Sequence, residues 1–136
     1  MAMVVGLVFL AIGILGFVPG ITTDFDQLKF AGHNSDAQLL DVFQTSILHN
    51  MLQLALGIAG VALARTWRVA RTYLVAGGLI NIALFVYGAI VTGEGAANFI
   101  PVNWGDNVLH LVLGAAMILI AFVVTPEPTP APQATP

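Results

Sequence analysis

Residues 45–57 read TSILHNMLQLALG and place a histidine, an asparagine and a glutamine inside an otherwise apolar run. A second stretch, DNVLHLVLG at residues 106–114, repeats the Leu-His pair 61 residues later. Whether such runs are soluble core helices or membrane helices depends on the rest of the chain. Only 8% of its 136 residues are charged and 58% are hydrophobic, against about 25% charged in an ordinary soluble domain. Mean hydropathy is +0.93. These values predict an integral membrane protein, and at about 20 apolar residues per crossing the chain has room for four helices, two modest loops and a tail.

Working outward, residues 2–18 (AMVVGLVFLAIGILGFV) form a first apolar run with neither a basic leader nor a small-residue cleavage site, so it reads as a retained helix rather than a signal peptide. Residues 21–40 are polar and acidic and are expected to fold over one end of the bundle. The second helix is expected over 39–64, the third over 72–91 and the fourth over 105–124. Residues 125–136 carry five of the seven prolines and predict a disordered cytoplasmic tail. Three of the four basic residues, Arg65, Arg68 and Arg71, cluster in ARTWRVAR. By the positive-inside rule this connection is cytoplasmic, and four crossings then put both termini inside, with a multi-pass location in the plasma membrane.

The expected architecture is therefore all-α: a four-helix transmembrane bundle over residues 1–124. Phe17-Val18-Pro19-Gly20 resembles Phe85-Val86-Tyr87-Gly88, and the Leu-His pairs match in the second and fourth helices. Together these suggest two tandem helical hairpins, a parallel repeat about an axis along the membrane normal. Small residues spaced at helical intervals, Gly13, Gly57, Gly60, Gly77 and Gly114, predict close helix packing, and Asn81 is expected to bond across to a neighbouring helix.

Counting inward from the helix ends puts His49 and His110 at similar depth, about 6 to 9 Å below the outer surface at 1.5 Å per residue. Ser46, Gln53 and His49 share a face with Asn50 at its margin; Asp106, Asn107 and His110 share the matching face. Polar side chains facing lipid are costly, so both stripes should face the interior. Their plainest role is interhelical hydrogen bonding. Sharper alternatives are bis-histidine ligation of haem b, a proton relay or pH sensor built from Asp106, His49 and His110, and a metal site of the same three residues, for which no spacing motif exists. Ser46 stands one turn before His49, but no third member of a nucleophilic triad is visible. Ser46 is expected to bond its own helix carbonyl, and no enzyme activity is expected.

The absence of a Lys/Arg cluster beyond that one connection argues against nucleic acid, and the absence of cysteine excludes disulfides and thiolate chemistry. The expected partners are the lipid bilayer and either a larger membrane assembly or further copies of the chain.

The segments FLAIGILGFVPGITTDFD, LLDVFQTSILHNMLQLALGIAGVA, YLVAGGLINIALFVYG and NWGDNVLHLVLGAAMI together resemble the bacterial membrane family catalogued as domain of unknown function 4383. GFVPGITT, ILHN and DNVLHL are its most specific matches. The resemblance covers the first helix to the fourth and implies a four-helix membrane protein of no assigned activity, consistent with an accessory or scaffold role. Members often carry a further histidine four residues after the first, where this chain has Gln53, a departure that weakens the metal and haem readings.

Overall fold

The computed structural model describes residues 1–91 and 97–124. These residues are mostly helical: α1 (Ala2–Leu15), α2 (Ile47–Leu63), α3 (Trp67–Ile90) and α4 (Trp104–Leu119), the last continued by a π-helical segment, Ile120–Val124. α3 and the stretch Trp104–Val123 are long and apolar enough to cross a membrane; α1 and α2 are apolar but shorter, at 14 and 17 residues. The expected tail at 125–136 lies outside the described residues.

The long segment between α1 and α2 is not wholly irregular, and here the all-α expectation needs correcting. It carries three two-residue strands, β1 (Thr22–Thr23), β2 (Gln38–Leu39) and β3 (Phe43–Gln44), paired antiparallel in that order. Leu39 therefore does not begin a helix. α2 starts eight residues later because Ser46 is extended and its hydroxyl accepts the His49 backbone N–H at 3.1 Å, capping the helix. Ser46 thus accepts at the helix start rather than donating to a carbonyl of its own helix. α1 likewise ends at Leu15, three residues before the expected boundary.

At the basic end the opposite happens. Thr66 caps α3 by accepting from Val69 N–H at 3.5 Å, so α3 begins at Trp67 and absorbs most of the expected connection. Arg68 and Arg71 stand on its first two turns, and the Arg71 guanidinium lies over Trp67 and Phe122, at 5.4 and 4.6 Å from the ring centroids. α4 opens with a capping box: Asn103 Oδ1 accepts Asp106 N–H at 3.0 Å, and Asp106 Oδ2 accepts Asn103 N–H at 2.9 Å.

α1 packs along α2, and α3 along α4. Glycines make both approaches close. A Cβ on Gly6 would lie within 3 Å of three α2 backbone atoms, and one on Gly78 would lie 3.0 Å from the Gly114 carbonyl oxygen. Gly13, Gly57 and Gly60 line the first contact and Gly77 the second. Phe9, Leu74, Tyr73 and Met117 fill the space where the two pairs meet, and the Tyr73 hydroxyl donates to the Leu56 carbonyl at 3.0 Å, bridging α3 to α2.

Candidate functional site

The buried stripe of α2 comprises His49, Asn50, Gln53, Gly57 and Gly60; that of α4 comprises Asp106, Asn107, His110, Gly114 and Met117. Each α4 position lies 57 residues after its counterpart, and the two caps, Ser46 and Asn103, follow the same shift. By that shift His49 corresponds to Asp106 and Gln53 to His110, four residues away from the 61-residue offset of the Leu-His pairs.

The two histidines meet: the His49 and His110 ring centroids are 5.5 Å apart with planes tilted by 42°. His49 is 5% exposed and His110 fully buried. Gln53 Nε2 lies 3.3 Å from His49 Nε2. An amide nitrogen can only donate, so this contact makes His49 Nε2 the acceptor and puts the ring proton on Nδ1. Flipping the Gln53 amide reverses these roles. In either arrangement one amide atom and the Nδ1 of His49 are left without a partner, and both His110 ring nitrogens are also unpartnered.

Asn50 is fully engaged. Its Oδ1 accepts from the Thr45 hydroxyl at 2.6 Å and its Nδ2 donates to the Gly16 carbonyl at 2.9 Å, tying α2 to the end of α1. Asn107 takes the equivalent place beside Gly88 on α3, close enough to its Oδ1 that no Cβ could be accommodated there, but that Oδ1 has no partner. Asn81 does not bond across to another helix. Its Nδ2 donates to the Gly77 carbonyl one turn back, at 2.9 Å, because that carbonyl is within reach of a short amide on the same helix.

Asp106 is almost wholly buried at 1% exposure. Besides capping α4, its Oδ2 accepts the Gln44 N–H of β3 at 3.0 Å, and Asn103 Nδ2 donates to the Val42 carbonyl at 2.7 Å. The small sheet is thus stitched to the start of α4 and covers the polar cluster. Beneath it lies a cavity of about 110 Å³, with His49, Gln53, Asp106 and Gln44 among its polar walls and Ile12, Leu15 and Leu109 among its apolar ones. No group of three or more His, Cys, Asp or Glu side chains that could hold a metal occurs among the described residues.

Sequence reasoning found the two histidines, Asp106 and their amide neighbours, but not Gln44 or Thr45, which partner them from the covering segment. It also missed Asn103. The N-x-x-D spacing of residues 103–106 is a capping signal, and would have placed both the start of α4 and the fixed orientation of Asp106.

Fold and site define a mostly helical protein with two helices apolar enough to cross a membrane and a polar cluster buried between two helix pairs. The chain belongs to the family described as Domain of unknown function (DUF4383), whose model matches residues 1–123. Searches of the curated proteins and of the solved structures return no match.

Proposed function

We propose that this chain is a four-span membrane protein built from two tandem helix pairs, with both termini and the Arg65–Arg71 segment cytoplasmic, and that it serves as an accessory or scaffold component of a membrane assembly. The observation that carries the reading is the inside-out distribution of side chains. His49, Asn50, Gln53, Asn81, Asp106, Asn107 and His110 are all buried, whereas large apolar residues such as Ile58, Leu79, Ile90, Val112 and Phe122 are exposed. Lipid or a partner helix is the natural surrounding for such a surface. The 57-residue correspondence of the buried stripes supports duplicated pairs, because a side-chain cap (Ser46, Asn103), a buried asparagine (Asn50, Asn107) and a buried glycine (Gly57, Gly114) recur in the same order.

In the non-enzymatic reading Ser46 serves as the cap of α2, its hydroxyl accepting the His49 N–H. Haem is disfavoured by size. Drug-sized ligands occupy roughly 300–1,000 Å³, and the cavity beside His49 offers about 110 Å³. A proton relay is limited by the lack of a second buried carboxylate among the described residues.

Because the chain has no cysteine, single cysteines can be introduced without a background and labelled from either side of the membrane. Cysteines at positions 24, 66 and 97 should react from outside, inside and outside respectively. Reaction of positions 24 and 66 from the same side overturns the four-span topology. Recovery of the chain from mild detergent as a lone monomer, with no copy or partner attached, overturns the assembly role.

A further inference from the structure

The cavity under the sheet has walls that want partners. His49 and Gln53, both at least 95% buried, each present an unpartnered hydrogen-bonding atom, and both line the same space as Asp106. Buried polar groups without a protein partner beside a cavity are where a bridging molecule belongs. Leaving such groups dry costs about 1–3 kcal/mol each. A cavity needs only roughly 10–15 Å³ to admit one water, so 110 Å³ has room for a cluster.

The character of the walls also restricts the occupant. In either orientation of the Gln53 amide, His49 and Gln53 between them carry one unpaired donor and one unpaired acceptor, and both residues line the cavity together with the apolar Ile12, Leu15 and Leu109. An apolar occupant would leave both polar atoms unmatched. An anion would be brought against the Asp106 carboxyl group, and a charge of either sign would lose its hydration in a space this small. The fitting class is an uncharged molecule of a few heavy atoms that both donates and accepts hydrogen bonds, of which water is the smallest.

We propose that this cavity is a binding site for small uncharged donor–acceptor molecules, filled by water when no other occupant is present and entered from the side covered by β2 and β3. The site belongs to α1, α2, α4 and the covering sheet together, and it does not depend on the accessory role or on the orientation in the membrane.

The test uses the full chain in detergent micelles or nanodiscs, labelled with ¹⁵N-histidine. Ring signals of His49 should show cross-peaks to water. Pyrazole, a five-atom ring with adjacent donor and acceptor nitrogens that stays uncharged near neutral pH, should displace those cross-peaks saturably. Cyclopentane, similar in size and without polar atoms, should not. Gln53→Leu should weaken the pyrazole response at least about tenfold, the factor equivalent to one hydrogen bond of about 1.4 kcal/mol. Ile12→Phe fills the cavity from its apolar wall without touching a hydrogen bond, and should remove the water cross-peaks even if the Gln53 variant does not fold. Absence of water cross-peaks in the unsubstituted protein overturns the proposal, as does equal displacement by cyclopentane, or water cross-peaks that saturating pyrazole leaves unchanged.

Discussion

Gly6→Ala tests whether the α1–α2 contact depends on the absence of a single methyl group. A Cβ at position 6 would stand 2.7 Å from the Val61 nitrogen, 2.8 Å from the Gly57 oxygen and 2.9 Å from the Gly60 carbonyl carbon. Unstrained non-bonded contact lies near 3.5–4.0 Å, so the two helices must part by roughly 1 Å at this point. All three neighbours are backbone, and none can rotate away. Overpacking of this kind costs about 1–3 kcal/mol, and a gap of 0.5–1 Å elsewhere along the contact forfeits about a quarter to a half of its dispersion energy. Against this, alanine gains about 1 kcal/mol over glycine in helix propensity. The net expectation is a loss of about 1–2 kcal/mol. Gly77→Ala is the matched control. Its nearest neighbour is the Met117 terminal methyl at 2.5 Å, with the sulfur at 3.7 Å, and a flexible thioether can turn aside. That variant should be neutral or up to about 1 kcal/mol more stable. Reversible unfolding in mixed micelles with increasing SDS, followed by helical circular dichroism, measures both. If Gly6→Ala proves as stable as Gly77→Ala, the close backbone approach of α1 and α2 is refuted.

Two further contrasts follow from the hydrogen-bond pattern. Asn50→Leu removes partners from both the Thr45 hydroxyl and the Gly16 carbonyl and should cost about 2–3 kcal/mol, whereas His110→Leu removes a side chain whose ring nitrogens are unpartnered and should be neutral or stabilising; the same SDS titration distinguishes them, and equal destabilisation would show that His110 has a partner. Ser46→Ala strips the cap from α2 and should cost about 0.5–2 kcal/mol, with faster amide hydrogen exchange confined to the first turn of that helix; uniform exchange along α2 would contradict a local capping role.

The helices themselves were legible because apolar length survives any rearrangement of detail. Their ends were less so. A stretch such as residues 39–46 is apolar enough to extend a helix, and two-residue strands leave no alternation to read, so the pairing of Leu39 with Phe43 is settled only by tertiary context. The start of α3 was misplaced for a related reason. Arg68 and Arg71 mark the cytoplasmic end on charge grounds, but arginine is a good helix former, and Thr66 supplies the cap that lets the helix begin before them.

The polar residues are legible by type, but their alignment is not. Leu48-His49 and Leu109-His110 look alike, whereas the buried stripes and the caps of α2 and α4 align by a shift of 57 residues, which pairs His49 with Asp106 and Gln53 with His110. On the duplicated-pair reading this divergence has a physical basis. Equivalent positions of the two pairs face a common interior, and His49, Gln53 and Asp106 line one cavity. A strictly identical repeat of the α4 pattern would put two carboxylates there, raising the cost of ionising either, and one of the α2 pattern would leave two imidazoles and two amides with no carboxyl group. Substituting one member of each equivalent couple turns a self-repelling seam into a mixed one, with a histidine and an amide from α2 meeting a carboxyl group and a histidine from α4. On that reading, the asymmetry between the two pairs suits the interior to the uncharged guest proposed above.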